Sequence, residues 1–277
     1  MSAWTIPAGR GRRDHPGGAT GRDHSGARWG DHLGALGFAA ALLIVWQVLA
    51  DHKLISPVFF PPPSRTFAEL WYQIAHGLLW EPLGATALKM FYGWALASLL
   101  GVALGAAIGS SRTAREFLNP SLEFMRPLPA SAIIPVAILF FGLTNRMATA
   151  VIAFGAVWPV LLAAVHGFVT VEPQLTEVAA ALRLSRAEFL FKVAVPSALP
   201  DILAGARVSL GIALILAVVT EMQASQPGLG QNILLAQRSY RSPELYANVV
   251  VLGALGFTIN RMLLAVERRA LRWRAAR

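Results

Sequence analysis

"EVAAALRLSRAEFLFKVAVPSALP", residues Glu177–Pro200, interrupts a chain that is otherwise mostly apolar. It carries a charged residue every few positions and two prolines, too polar to cross a bilayer. Apolar stretches long enough to do so flank it on both sides. Glu172-Pro173 suits a helix start, because proline is tolerated at the first helical position; that helix would run to about Leu182. Ser185 followed by Glu188 has capping-box spacing, so a second helix starts at Arg186. It ends near Val195, since Pro196 disfavours helix at the residue before it. Along it Ala187, Leu190, Phe191 and Ala194 recur at i, i+3, i+4 and i+7, one apolar face. Glu188 and Lys192 sit four apart in the favourable order, worth about 0.2–0.5 kcal/mol. The stretch therefore reads as two short helices with an elbow at Arg183-Leu184. An amphipathic helix must bury its apolar face. Here that face packs on the inner ends of its own spans, lies on the inner lipid surface, or docks in a groove on a soluble partner; periodicity alone leaves the three open.

The composition around this stretch is that of an integral membrane protein. Of 277 residues, 55% are hydrophobic and 14% charged, against about a quarter charged in soluble domains; mean hydropathy is +0.53. No cysteine is present, which excludes disulfides and thiolate metal sites. The formal charge of +9 would suit nucleic acid, but the basic residues cluster beside apolar spans, as in cytoplasmic loops, so no nucleic-acid partner is expected.

A helix needs about 20 mostly apolar residues to cross the hydrocarbon. Six segments qualify or nearly do: about Leu33–Ala50, Thr86–Gly109, Leu128–Leu143, Met147–Phe168, Ile202–Thr220 and Leu245–Val266. The third is short. The expected fold class is all-α, a polytopic membrane protein of about six spans with a cytoplasmic two-helix loop. With the N-terminus inside, segments 1–32, 110–127, 169–207 and 261–277 hold 18 of the 24 Lys/Arg. The positive-inside rule then puts both termini and the elbow in the cytoplasm. Three domains are expected: a disordered basic tail over 1–32, a transmembrane unit over 33–266 with its loop at 170–200, and a basic tail over 267–277. The three Asp-His pairs of the first tail would be a metal site only if that tail folded, and its composition is too poor in apolar residues for that.

Within the spans, small residues recur every fourth position at Gly93, Ala97, Gly101, Gly105 and Gly109, one helix face along which another backbone can approach closely. Ser64–Leu79, after the "FFPPPS" proline cluster, reads as an amphipathic helix along the outer leaflet with Trp71, Tyr72 and Trp80 at the interface. Pro127, Pro129 and Pro135 leave bends and free carbonyls in the third region, a kink or a pathway wall. Ionisable groups inside spans are functional candidates by default. Lys89 could snorkel, Arg126 anchors a helix end, and His166 packs. Glu221, with Met222 beside it, is an outer gate or a salt-bridge partner. Arg126, Pro129, Pro135, Glu221 and Met222 are the candidates for pathway or gate. No paired carboxylates, HExxH or Ser/His/Asp grouping stands in a usable setting, so no catalytic residue and no metal site is assigned.

At this point the residues resemble a family. The pattern Glu-Ala-Ala, three residues, Gly, nine residues, Ile, one residue, Leu-Pro marks the permease subunits of bacterial ABC importers. Here it falls on Glu177, Val178, Ala179, Arg183, Val193, Val195 and Pro196. "RPLPASAIIPVAILFFGL" (Arg126–Leu143), "GARVSLGIALILAVVTEM" (Gly205–Met222), "GLG" (Gly228–Gly230) and "ERRALRW" (Glu267–Trp273) are similar to the branch serving nitrate, sulfonate, taurine and bicarbonate. The resemblance covers about residues 30–275. It implies a homodimer of permeases in the bacterial inner membrane, two cytoplasmic ATPases that bind ATP and Mg²⁺, and an extracytoplasmic solute-binding protein. The ATPase-coupling residues would be Glu177, Ala179, Arg183, Leu184, Ser185, Phe189 and Pro196. Arg183 departs from the pattern: if the family's glycine is left-handed, a side chain there costs about 1–2 kcal/mol. Asn260 stands where an acidic residue is expected in the last span.

The chain has no G-x-x-x-x-G-K-[ST] phosphate loop, so ATP-driven transport would need a separate subunit. An ion-coupled secondary transporter would favour inverted repeats and midplane charges, and a non-transporting scaffold would need only the patterned loop.

Overall fold

The computed structural model describes residues 25–272. Eleven α-helices follow in order: α1 Ser25–Asp51, α2 Pro63–Ala75, α3 Trp80–Gly109, α4 Arg112–Met125, α5 Ile134–Phe141, α6 Asn145–Val169, α7 Pro173–Ala181, α8 Arg186–Phe189, α9 Val195–Ala224, α10 Leu229–Arg238 and α11 Ser242–Ala270. No strand occurs among the described residues. Much of the reading of residues 1–32 as a tail, and the end of the basic tail, lies outside the described residues. The first helix is already formed at Ser25, ahead of the span read from Leu33.

The local chemistry sets the helix ends. Ser111 caps α4 by accepting from the Ala114 amide, and Thr144 caps α6 by accepting from Met147. Gly142, at φ 66°, stops α5, a conformation open to glycine at little cost.

Three helices make the core. α6 lies between α3 and α9, with Ala97, Ile152, Ala156, Ala213 and Ala217 fully shut away. The line of small residues on α3 is the α3–α6 seam: Gly93, Ala97, Gly101, Gly105 and Gly109 are all buried. A Cβ added to Gly101 would stand 2.9 Å from Val160 Cβ and 3.1 Å from the Leu161 amide. The α6–α9 seam is equally close, since a Cβ on Gly205 would sit 2.7 Å from the Pro159 carbonyl. Trp94 Nε1 donates to the Ala206 carbonyl at 2.9 Å, and Ser209 Oγ to the Ala156 carbonyl at 2.6 Å.

The expected spans map onto the helices unevenly. Among the described residues, four helices are long and apolar enough to cross a membrane: α3, α6, the continuous rod Arg186–Ala224 and α11. The third expected span is instead a bent pair. α4 and the segment Ala130–Phe141 meet at 80° and together would count as a fifth span. Eight residues of α5 reach about 12 Å, far short of a 30 Å core; Pro127 and Pro129 turn the chain before it. The span expected over Leu33–Ala50 falls on α1, Ser25–Asp51, whose first part lies outside the residues with described side chains.

The helix expected to stop near Val195 does not stop. Its turn over Leu190–Ala194 widens into a π-helix, with the Val195 amide donating five residues back to Leu190, and continues into α9 with Pro196 in its first turn. A wide turn re-spaces the hydrogen-bond ladder where proline lacks a donor. It also shifts the apolar face. Phe189, Leu190 and Ala194 pack towards Phe168 and Ala198, whereas Ala187 and Phe191, expected on that face, are exposed. The outer amphipathic helix ends at Ala75, before a turn at Gly77 (φ 75°).

Candidate functional site

The elbow is a helix stop made without glycine. Arg183 adopts φ 50°, the left-handed conformation that costs a side-chain residue about 1–2 kcal/mol. The Leu184 amide donates to the Ala179 carbonyl at 3.0 Å and the Arg183 amide to the Ala180 carbonyl at 3.0 Å. This paired closure is the Schellman motif. Ala179 is its third-last helical residue and is buried, while Leu184, half-buried, sits at the position that usually packs on it.

The second helix starts as its sequence dictates. Glu188 N–H donates to Ser185 Oγ at 3.3 Å, and Glu188 Oε2 accepts from the Ser185 amide at 3.1 Å and its hydroxyl at 2.9 Å. Lys192 Nζ lies 2.9 Å from Glu188 Oε1. The lysine, followed by the Ser185 amide and hydroxyl, lowers the Glu188 pKa to about 2. Glu188 lies outside the membrane-crossing part of the rod: 39 residues at about 1.5 Å each reach about 58 Å, nearly twice the hydrocarbon thickness.

Of the expected coupling residues, Glu177, Arg183 and Ser185 are exposed, Leu184, Phe189 and Pro196 are half-buried and Ala179 is buried. Sequence reasoning missed the face of α7. Leu175, Val178 and Leu182 are 39%, 55% and 67% exposed and stand at i, i+3 and i+7, one stripe turned away from the protein. Their spacing was a legible signal.

The expected pathway residues do not come together. Arg126, Pro129 and Pro135 are exposed around the α4–α5 bend, and Met222 is half-buried on α9. Glu221 is wholly buried and paired: Lys89 Nζ at 3.1 Å, Thr86 Oγ1 at 3.0 Å and the Gly230 amide at 2.9 Å all donate to it. Lys89 also donates to the Pro227 carbonyl. Lys89 therefore does not snorkel, because an internal carboxylate meets it first. Thr86 passes the network on by accepting from the Leu229 amide at 2.9 Å. Gly228 lies so close to the carboxylate that a Cβ there would strike it. His166, expected to pack, is exposed near the end of α6. Asn260 is exposed on α11.

The ends of the helices sort into two sets. The elbow's helices pack at the end of the bundle that holds Val102, Ala106 and Phe168, while Arg207, midway along the rod, pairs with Glu267 in the C-terminal segment. At the opposite end lie the Lys89–Glu221 network, α10 and the contact of Gln47 with Ser64, whose amide donates to Gln47 Oε1 at 3.0 Å.

Residues 97–272 match the family model described as "Binding-protein-dependent transport system inner membrane component". The chain is 32% identical over 244 residues to the taurine transport system permease protein TauC of Escherichia coli (strain K12), covering 86% of this chain and 89% of that protein. It is 32% identical over 238 residues to the putative aliphatic sulfonates transport permease protein SsuC of Bacillus subtilis (strain 168), 85% of each chain. Identity to the bicarbonate transport system permease protein CmpB of Synechococcus elongatus is 28% over 249 residues, 86% of this chain and 88% of that protein. Among solved structures, the inward-facing MetNI methionine ABC transporter shares the fold at a TM-score of 0.60 and 17% identity, over 67% of this chain and 93% of that one.

Proposed function

The chain belongs to the inner-membrane components of binding-protein-dependent transport systems, the permease subunits of ABC importers, and from that premise we propose that its elbow is the seat of a separate cytoplasmic ATPase. As a multi-pass membrane protein and a transport subunit, it needs an outside source of work. The observation that carries this reading is the stripe Leu175, Val178 and Leu182 on α7. It is apolar, uncovered, and held at a fixed angle by the left-handed turn at Arg183. An amphipathic helix presenting such a stripe suits a groove on a partner. Glu177, Arg183 and Ser185 would rim that contact. Ala179, Leu184, Phe189 and Pro196 would hold the helix pair rigid behind it.

The rod turns this contact into a lever. A push on α7 reaches α8 through the elbow, passes the π-turn, and continues along α9 to its far end. Two copies of the chain would enclose the pathway, with Arg126, Pro129, Pro135 and Met222 as candidates for its wall. Two ATPases carrying ATP and Mg²⁺ would close beneath them, and an extracytoplasmic binding protein would deliver the cargo. The excess of Lys/Arg in the segments on the elbow's side favours a cytoplasmic position for that side and for both termini. The names of the relatives favour a small anion, a sulfonate before bicarbonate. Glu221, held by Lys89, Thr86 and the Gly230 amide, serves as a brace and not as a cargo ligand.

Because the chain holds no cysteine, a single one at Leu182 gives a clean test. Leu182→Cys should cross-link to the co-expressed ATPase, and Ser185→Cys should resist a membrane-impermeant thiol reagent in intact spheroplasts. Labelling of Ser185→Cys from outside would invert the topology and overturn the reading.

A further inference from the structure

The last turns of α11 carry their charge on one side. Met262, Ala265, Arg268, Arg269 and Arg272 are exposed and follow the three- and four-residue spacing of a single helix face. Leu263, Glu267 and Ala270 are buried or half-buried on the other side, where Glu267 meets Arg207 of α9. The helix runs unbroken to Ala270, so the arginines stand on a rigid rod. α11 is antiparallel to α9, since Glu267 pairs with Arg207 while Gly256 lies against Leu214; its last turns therefore point to the elbow's side of the bundle. We propose that this arginine face docks on an anionic bilayer surface, seated among the headgroups of the leaflet on that side. The inference goes beyond the transport reading and rests on its topology only for naming that leaflet as the cytoplasmic one.

Three observations argue for that partner. The first is depth. Counted from Leu245, the first apolar residue after Arg241 and Glu244, about 20 helical residues cross the hydrocarbon and end near Leu264. Arg268, Arg269 and Arg272 follow within about two turns, where headgroups lie. The second is continuity. Only 6% of the apolar stretch of α11 is buried, against 44% for α6 and for the rod, so this helix turns an open apolar side outwards. Ala265 and Val266 line one shallow hollow together with Arg268, Arg269 and Arg272, and the apolar surface passes into the basic one without a break. The third is charge. Among the described residues no carboxylate pairs with any of the three arginines, and Glu267, the acid in their midst, is spent on Arg207. A helix C-terminus favours cations, but like charges one turn apart, such as Arg268 and Arg272, repel. A layer of phosphates satisfies all three guanidinium groups at once, and basic clusters just past a span suit anionic lipid.

The test needs neither the ATPase nor a known orientation. The full-length chain is reconstituted in phosphatidylcholine vesicles carrying traces of spin-labelled phosphatidylglycerol or spin-labelled phosphatidylcholine. Electron spin resonance then reads the fraction of each lipid held at the protein surface. Wild type should hold phosphatidylglycerol several-fold more strongly, and the preference should shrink with added salt, which cuts the reach of exposed charges to about 10 Å at 0.1 M. Arg268→Gln/Arg269→Gln/Arg272→Gln should lose most of the preference, and Arg268→Lys/Arg269→Lys/Arg272→Lys should keep it. The control is Arg65→Gln/Arg146→Gln/Arg238→Gln, which removes the same charge from exposed positions at the opposite end; it should keep most of the preference. Unfolding in detergent checks that each variant folds, and if the glutamine variant does not, the salt dependence and the lysine variant still decide. Equal losses in the glutamine variant and the control would overturn the proposal, since net charge alone would then attract the lipid. So would a preference abolished by inorganic phosphate but not by chloride of equal ionic strength, which would assign the arginines to a free anion. A lysine variant that lost the preference, or a preference indifferent to salt, would overturn it as well.

Discussion

Lys89 Nζ lies 3.1 Å from Glu221 Oε1, with the two side chains 6% and 0% exposed. The two residues stand 132 positions apart and join the first third of α3 to the last third of α9. Around them Thr86, Pro227 and Gly230 supply further hydrogen bonds, so the loop after α9 folds back over the pair.

Removing one partner leaves a buried charge without compensation, which costs about 3–5 kcal/mol. Lys89→Met and Glu221→Gln should each lower the unfolding midpoint sharply. The double variant should recover much of the loss, since the lone charge is gone. Thermal unfolding of the four proteins in one detergent closes the cycle. A double variant as unstable as the sum of the singles would mean that the two side chains act independently.

Arg183 holds a left-handed backbone that glycine adopts freely. Arg183→Gly should therefore raise stability by about 1 kcal/mol, and Arg183→Val should lower it, because a β-branched side chain tolerates positive φ worst. If the turn geometry alone matters for coupling, ATP-dependent uptake stays within twofold in the glycine variant. A fall in stability for Arg183→Gly would show that the arginine side chain itself holds the elbow.

The elbow was readable because its signals are local: Ser185 and Glu188 spell a cap, and the spacing of Glu177, Ala179 and Arg183 carries the family pattern. Nothing about an arginine announces positive φ, and only the family's glycine at that position raised it. The line Gly93–Gly109 was also readable, since a four-residue repeat is one helix face wherever it packs. Lys89 and Glu221 each read alone in the sequence, because a pair separated by 132 positions leaves no trace in periodicity. Pro196 misled for a different reason: the rule that helices end before proline is local, and packing of Ala194 and Ala198 against α6 overrides it through a π-turn.

The α3–α6 seam predicts opposite outcomes for one substitution at two glycines. Gly101→Ala places a methyl 2.9 Å from Val160 Cβ and 3.1 Å from backbone, and overpacking of this kind costs about 1–3 kcal/mol. Gly84→Ala, on the same helix, meets nothing within 4 Å and should gain up to about 1 kcal/mol from helix propensity. Unfolding midpoints of the two variants should move in opposite directions. Equal shifts would mean that the seam is looser than its spacing implies.

The stripe on α7 separates coupling from folding. Leu182 is 67% exposed and Val178 55%, so a charge at either position displaces little packed surface, and surface changes of this kind usually stay within about 0.5 kcal/mol. A docked ATPase would see the same charge forced into an apolar groove, where an unpaired ion is heavily penalised. Val178→Asp and Leu182→Asp should leave the unfolding midpoint of the isolated chain nearly unchanged. Both should release the ATPase on co-purification and reduce uptake at least tenfold. Ala179→Asp, buried a single position away, should unfold the elbow itself and lower the midpoint. If all three variants lost stability alike, the stripe would be packing surface, and the partner would have to grip the chain elsewhere.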